Sequence, residues 1–307
     1  MKLIRIGTRG SALALAQVGW VKQKLGERYP GLKIETVTIK TSGDRFLNTP
    51  IKAIAGKGIF VKEIEEGLLG SEIDLAVHSM KDLPTEIPSG LVIGAIPERE
   101  DPSDVLVSTR QIPLKDLPSG ARVGTGSLRR RAQVLYYRPD LVVHPIRGNI
   151  DSRLRKLDRG EVDALILALA GLKRLGCESR ITEYLGPEVS VSAVAQGALA
   201  LECREGDPVA AQIGFLHHRF TALEVAAERG FLKRLGGGCH IPVGARAWIE
   251  KDQIRILGMV ADIDGRKIFR GEIRGSSEEA ENLGRELAER LLKEGADRVL
   301  DVGGQKV

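Results

Sequence analysis

"RIGTRGSALALAQV" (Arg5–Val18) and "RVGTGSLRRRAQV" (Arg122–Val134) spell one pattern twice. Each closes an apolar strand-like run with Gly-Thr, passes through Gly-Ser and enters a stretch ending Ala-Gln-Val. Downstream, "RYPGLKIETV" (Arg28–Val37) pairs with "YRPDLVVHPI" (Tyr137–Ile146): a helix end, a proline and a new strand. "SEIDLAVHSMKDLP" (Ser71–Pro84) then pairs with "GEVDALILALAGLKR" (Gly160–Arg174): an acid, a β-branched residue, Asp, and a buried-looking strand. Three matches in one order imply two similar α/β units, each reading strand, helix, strand, helix, strand. Ile6 and Val123 sit in short apolar runs, whereas Ala14, Val18, Val21 and Leu25 recur at helical spacing. Such alternation predicts mostly parallel, doubly wound sheets. Ligands of these sheets bind beyond the carboxyl ends of the strands, where the Gly-Thr and Gly-Ser segments fall. Two units facing each other would flank a cleft.

The repeat sets the expected domain boundaries. Domain 1 is expected over 1–98 with 198–216, and domain 2 over 103–191. "PEREDPSDV" (Pro97–Val105) and "VSVSAVAQGALALECR" (Val189–Arg204) read as two crossings between them. The pattern changes at Arg219, and domain 3 is expected over 219–307. A helix at Phe220–Leu235 precedes the runs "VGARAWIE", "QIRILGMVADI" and "KIFRGEIRG". "DIDGRK" (Asp262–Lys267) supplies a hairpin turn, and an amphipathic helix at Ser277–Glu294 follows. This is a small α+β domain with a three-stranded antiparallel sheet.

Composition excludes several classes. Apolar residues at 42% and charged residues at 28% describe an ordinary globular chain, and no apolar run reaches membrane-spanning length. "MKLIRIGTRG" starts directly in a strand pattern without a signal-peptide core, so a cytoplasmic protein is expected. Cys177, Cys203 and Cys239 form no CxxC pair, which fits a reducing compartment. A net charge of +5 suits an acidic partner, but aromatics at 4% leave few platforms for stacking bases, so nucleic acid is not expected. Neither Cys239-His240 nor His217-His218 has zinc-ligand spacing, so no metal is expected.

Cations gather at the predicted strand ends. Ser127 is a plausible N-cap that places Arg129, Arg130 and Arg131 in the first helical turn. Each cation there opposes the helix dipole at a cost of about 0.3–1 kcal/mol. A bound anion would offset that cost. A solvated basic helix face is the alternative, weakened because Arg9 and Ser11 occupy the equivalent place in the first unit. Arg147 lies at a strand end, and Arg153 lies off the Ile150–Leu154–Leu157 stripe of the next helix. Lys81 and Arg174 follow the third strands of the two units. Several cations and few counter-charges are thus expected at that edge, and arginine binds carboxylate or phosphate bidentately. Asp82 is the one acid expected beside them, either a catalytic carboxylate able to hold an N–H and move a proton or the start of a turn before Pro84. His78 reads as core. The long segment Thr41–Phe60, with Asp44 and Lys57, reads as a lid or as a disordered loop. Cys239 stands in "LGGGCHIPVG" (Leu235–Gly244), a glycine-rich loop rather than a packed element.

Many motifs together resemble the porphobilinogen deaminase (hydroxymethylbilane synthase) family. They are "GTRGSALALAQ", "GDRFLNTP", "GKGIFVKE", "AVHSMKDLP", "EREDPSD", "VGTGSLRRRAQ", "IRGNIDSRLRKLD", "AGLKRLG" and "AERGFLKRLGGGCHIPVG". The resemblance runs over nearly the whole chain. It implies two periplasmic-binding-protein-like domains and a transferase of tetrapyrrole biosynthesis, cytoplasmic and monomeric. Four porphobilinogen molecules would be joined head to tail with release of ammonia, then hydrolysed to linear hydroxymethylbilane. It implies a covalent dipyrromethane cofactor held by a thioether to Cys239, and a catalytic role for Asp82. Arg9, Ser11, Gln17, Lys81, Thr125, Ser127, Arg129, Arg130, Arg147, Arg153 and Arg174 match residues that bind cofactor or substrate carboxylates. Asp44, Lys57 and Phe60 match active-site positions in a mobile loop. Gly10 and Gly126 depart from the family, which commonly has a larger polar residue and serine there. A different class, a non-enzymatic two-lobed protein binding a small polyanion, would need neither Cys239 nor Asp82.

Overall fold

The computed structural model describes residues 3–42, 61–236 and 241–300. Asp44, Lys57, Phe60 and Cys239 lie outside the described residues. In chain order the elements are β1 (Leu3–Thr8), α1 (Ala12–Arg28), β2 (Lys33–Thr38), α2 (Lys62–Leu69), β3 (Leu75–Ser79) and β4 (Leu91–Ala95). Then come β5 (Asp104–Ser108), β6 (Arg122–Gly124), α3 (Leu128–Tyr137), β7 (Val142–His144), α4 (Ile150–Asp158) and β8 (Ala164–Ala168). They continue with α5 (Leu169–Arg174), β9 (Glu183–Leu185), β10 (Leu199–Arg204), α6 (Val209–Ile213) and α7 (Arg219–Arg234). The last are β11 (Val243–Glu250), β12 (Gln253–Ala261), β13 (Ile268–Ser276), α8 (Ala280–Leu291) and α9 (Asp297–Leu300).

Two five-stranded sheets have equivalent orders, β2-β1-β3-β10-β4 and β7-β6-β8-β5-β9. The expectation of mostly parallel sheets needs one correction in each. β10 runs antiparallel to both β3 and β4, and β5 runs antiparallel to both β8 and β9. β10 lies within one of the segments read as crossings, β5 begins at the end of the other, and each enters its sheet from the carboxyl edge. Asp104, the first residue of β5, lies opposite Ala168, the last of β8. The described residues form two compact units, one with β1–β4 and β10, the other with β5–β9 and β11–β13.

The duplicated sequence does the same work in both units. Ser11 Oγ accepts from Ala14 N at the start of α1, and Ser127 Oγ from Arg130 N at the start of α3. These N-caps satisfy backbone donors that a helix start leaves open. Arg5 gives its backbone N–H and a two-nitrogen fork to Asp74, at 2.9, 3.1 and 2.8 Å. Arg122 repeats the arrangement on Asp163 at 2.7, 3.2 and 3.0 Å. The Asp of "EID" and "EVD" thus ties the start of the third strand to the first. Around it the cores close: Ile4, Ile6, Val18, Val21, Leu25, Leu75 and Leu201 in the first unit, and Val123, Val134, Ala164 and Ile166 in the second.

The three-stranded antiparallel sheet β11-β12-β13 forms as expected. The last helix is regular only from Ala280 to Leu291, because Gly295 at φ +105° adopts a conformation closed to other residues and breaks it. This sheet meets α3 and the segment after β9 in an apolar cluster of Ala132, Val191, Met259 and Ala261. Arg131 does not join an anion site. It donates to Ile263 O at 3.2 Å and Asp264 Oδ1 at 3.1 Å.

The two repeated ion pairs differ in burial, which makes them a test. Asp74 has 7% of its side chain exposed, Asp163 43%. Burial opposes ionisation of Asp74, yet the Arg5 hydrogen bonds hold its carboxyl below the ordinary range. A depressed carboxyl stabilises the fold above its unfolded value and loses that contribution as pH falls through the folded value. Asp74→Asn is therefore expected to lower the melting temperature at pH 7 clearly more than Asp163→Asn. The gap from wild type should shrink on acidification below pH 3.8, the ordinary value. Equal losses at pH 7 would contradict the burial argument.

Candidate active site

At the carboxyl edge of the first sheet, Arg9 and Ser11 follow β1, and a single tight turn, Met80–Asp82, follows β3. The turn is pinned from three sides. Met80 is fully buried, Met80 N donates to Ala198 O at 3.0 Å, and Leu83 N donates to Met80 O at 3.2 Å. Gln17, buried on α1, donates to Ser79 Oγ at 2.8 Å and fixes the residue before the turn. Lys81 is half-buried and Asp82 is exposed. A rigid turn thus presents a solvent-facing carboxylate beside a lysine.

His78, expected in the core, is buried there as one end of a polar pair. Its Nε2 lies 3.0 Å from Oε2 of Glu202, which is fully buried on β10. Glu65 on α2 is buried in the same unit, and burial together with the Glu202 charge pushes its carboxyl up. Neither acid was singled out from sequence: Glu202 ends an apolar run, and Glu65 stands among the charged residues of "VKEIEEGLL".

At the carboxyl edge of the second sheet, Thr125 N donates to His144 O, and Thr125 Oγ1 accepts from Ser127 N at 3.1 Å. Arg129 and Arg130 lie in the first turn of α3, as expected, but they are not solvated and not without counter-charge. Both are buried, and Asp104 lies between them with no exposure. Asp104 Oδ2 accepts from Arg129 Nη1 at 2.7 Å, and Oδ1 from Arg130 Nε at 3.1 Å and Nη2 at 2.8 Å. Ser190 Oγ and Gln196 Nε2 add bonds to the same carboxylate, each at 2.8 Å. Burial works against its charge, but the two guanidiniums hold it far below the usual carboxylate range. The expectation of few counter-charges is thereby corrected, and Asp104 is the residue that sequence reasoning missed. The signal was present: an acid heading the apolar run "DVLVS" needs a buried cation.

Arg129 Nη1 also donates to Val191 O at 2.5 Å, and Arg130 Nη1 to Ile166 O at 3.0 Å. Arg153 is half-buried on α4, off the apolar stripe, and Nε donates to Gly148 O at 2.7 Å. Burial and the nearby Arg130 charge lower its guanidinium to about 10. Among the described residues no carboxylate pairs with it. Arg147 beyond β7 and Arg174 ending α5 are half-buried at the same edge.

The segment carrying Cys239 is described on both flanks. Leu235 closes α7 in the core, and Val243 opens β11. A Cβ at Gly244 would stand 2.9 Å from the carbonyl oxygens of Val191 and Ser192 and 3.1 Å from Arg129 Cδ. That approach brings the end of the glycine-rich segment against the Asp104 cluster.

Comparison with known proteins agrees with the motifs. Residues 4–212 match the dipyrromethane cofactor binding domain of porphobilinogen deaminase, and residues 222–293 match its C-terminal domain. Porphobilinogen deaminase of Pelobacter propionicus is 53% identical over 290 residues, 94% of this chain and 93% of its own. That of Geotalea uraniireducens is 50% identical over 293 residues, 95% of this chain and 92% of its own. That of Maridesulfovibrio salexigens is 50% identical over 302 residues, 98% of each chain. The periplasmic aliphatic sulphonate binding protein of Escherichia coli is similar at 16% identity and a TM-score of 0.39, over 76% of this chain and 70% of that one. The chain belongs to the porphobilinogen deaminase family, transferases of tetrapyrrole biosynthesis that build hydroxymethylbilane from porphobilinogen on a dipyrromethane primer.

Proposed function

We propose that Cys239 anchors dipyrromethane through a thioether, that Asp82 is the catalytic carboxylate, and that the cations at the two carboxyl edges hold acetate and propionate groups. The observation that carries this reading is the company of Arg129. The stretch that follows Cys239 packs on it at Gly244, and it lies in a buried arginine cluster with donors to spare. Among the described residues, nothing accepts from Nε and Nη2 of Arg129 or from Nη1 and Nη2 of Arg153. Carboxylates of the cofactor fit that donor set, since guanidinium binds them in two-point fashion. Arg9, Ser11, Lys81, Thr125, Ser127, Arg147 and Arg174 complete the proposed binding set, with Arg130 beside Arg129 in the same cluster and Gln17 behind Ser79. Asp44, Lys57 and Phe60 are assigned to the site by resemblance. When bound, dipyrromethane supplies the pyrrole α-carbon from which the chain grows.

The protein's own part centres on Asp82. Its carboxylate accepts the pyrrole N–H of porphobilinogen and orients the ring. As the C–N bond to the aminomethyl group breaks and ammonia leaves, positive charge spreads over that ring, and a fixed carboxylate stabilises it. After the new C–C bond forms, the ring α-proton needs an acceptor, a role assigned to the exposed Asp82. The same reading makes the protein a cytoplasmic monomer with no nucleic-acid or membrane partner. It is divided into 1–98 with 198–216, 103–191 and 219–307. No helix among the described residues is long and apolar enough to cross a membrane.

Intact mass tests the anchor. Protein made with porphobilinogen available should exceed its sequence mass by two pyrrole units, and Cys239→Ser should lack the increment. A wild-type mass equal to the sequence mass would refute the thioether assignment.

Asp82→Asn separates charge from shape. The amide oxygen still accepts a pyrrole N–H, but it neither carries negative charge nor takes a proton. Hydroxymethylbilane formation should fall about 10²–10³-fold, the effect of losing one preorganised polar group worth about 3–4 kcal/mol. The melting temperature and the attached cofactor should persist, because an exposed turn before Pro84 tolerates Asn. Turnover within a few-fold of wild type would remove Asp82 from the chemistry.

A further inference from the structure

Asp104 is assigned no contact with substrate or cofactor by anything above, yet the arginine arrangement converges on it. Five donor atoms reach its two oxygens: Arg129 Nη1, Arg130 Nε and Nη2, Ser190 Oγ and Gln196 Nε2. A carboxylate offers about four lone-pair sites, so this one is saturated and has no capacity left for a ligand. It is fixed by the backbone too, as the first residue of β5 opposite the end of β8. Both guanidiniums, by contrast, end long side chains with several rotamers. Without a fixed partner they would have no reason to share one orientation, and two buried like charges would repel.

The donors that remain open follow from this. Arg130 has Nε and Nη2 on Asp104 and Nη1 on Ile166 O, so all three of its nitrogens are engaged. Among the described residues, Arg129 is engaged only through Nη1. Its Nε and Nη2 therefore form the edge available to a ligand, joined by the outer nitrogens of Arg153. Counting charges, Arg129, Arg130 and Arg153 against Asp104 leave a net +2, so one full charge of the three is cancelled by the protein itself.

We infer that Asp104 is a positioning residue of the anion site: it turns the free edge of Arg129 toward a ligand carboxylate and makes Arg130 a strut. This rests on the reading that these arginines serve the carboxylates of dipyrromethane. The consequence is an unequal pair of neighbouring arginines, one binding and one bracing, both governed by a residue that touches no ligand.

Two variants test it. Asp104→Glu keeps the charge but moves the carboxylate by one methylene, so the buried ion pair survives while both guanidiniums are displaced. Asp104→Ala removes the carboxylate and leaves a space of the size of formate, the probe used to refill it. Protein is made with porphobilinogen available, and dipyrromethane loading is read as intact mass beside the melting temperature. Asp104→Glu should melt within a few degrees of wild type yet show loading or KM for porphobilinogen impaired about 10–100-fold, with kcat of the loaded fraction changed much less. Asp104→Ala should be poorly folded and unloaded, and formate should restore both. A fully loaded Asp104→Glu protein with wild-type KM would overturn the inference and leave Asp104 a structural ion pair. So would an Asp104→Ala protein whose stability rises with formate while its loading stays low. Wild-type protein without the added mass would instead remove the cofactor reading, whatever the variants do.

Discussion

The carboxylate of Asp104 and the two guanidiniums around it are an expensive arrangement that the second sheet is organised to tolerate. Desolvating three ionised groups costs several kcal/mol each, and mutual attraction offsets this only where the remaining hydrogen bonds are also satisfied. Here the carboxylate of Asp104 and all three nitrogens of Arg130 have partners, and these are drawn from separated parts of the chain. Ser190 and Gln196 come from the segment between β9 and β10, and Val191 supplies a carbonyl. Gln133 then clamps Val191 at both its N–H and its C=O, at 2.7 and 3.1 Å. Glu228 of α7 accepts Ala195 N at 2.5 Å and Ala247 N of β11 at 2.9 Å. Ala195 needs that support, because it holds φ +58° without being glycine. The polar network thus binds segment 190–196, α3 and β11 into one body, and β11 begins just past the residue proposed to carry the cofactor.

The two units show how one supersecondary pattern is put to different uses. Each has a Ser N-cap, a buried Gln six residues further on and an Arg–Asp tie between its first and third strands. The differences are concentrated after the third strand. In the first unit β3 exits through the short turn Met80–Asp82, which leaves an acid exposed. In the second, β8 runs straight into α5, whose last residue is Arg174. The equivalent glutamines diverge as well. Gln17 steadies the residue before the acid turn, whereas Gln133 secures a backbone segment. One copy exposes a carboxylate after its third strand, and the other is dominated by guanidiniums.

Sequence carried the scaffold further than the site. The duplicated Gly-Thr/Gly-Ser stretches, the helical spacing of Val18, Val21 and Leu25, and the turn "DIDGRK" are local signals, and local signals decide elements. The reversed strands β5 and β10 were not legible, since strand direction depends on which edge the chain re-enters. Arg129 and Arg130 were found by position but misjudged in environment. Local sequence shows a basic helix start, while their partner lies 25 and 26 residues away on another strand. Glu202 and Glu228 were hidden for the same reason: a buried acid inside an apolar run is explained only by its distant partner, His78 in one case and two backbone N–H groups in the other.

Arg153 shows what a buried cation without an internal counter-charge among the described residues costs the fold. Its guanidinium is lowered from its ordinary value to about 10 by burial and by Arg130. A cation depressed in the folded state destabilises the fold at every pH below the folded value, and the penalty fades only as pH rises from there toward the unfolded value. At neutral pH the penalty is therefore present in full, and Arg153 is charged regardless. A carboxylate brought against it would raise its affinity for the proton and remove the penalty. By reciprocity, the free energy the fold recovers is the free energy the anion gains on binding. On the proposed reading, the same strain strengthens the hold on an acidic ligand, and Asp104 limits it by cancelling one of the three neighbouring charges. A second internal carboxylate would make a more stable protein with less attraction for acids.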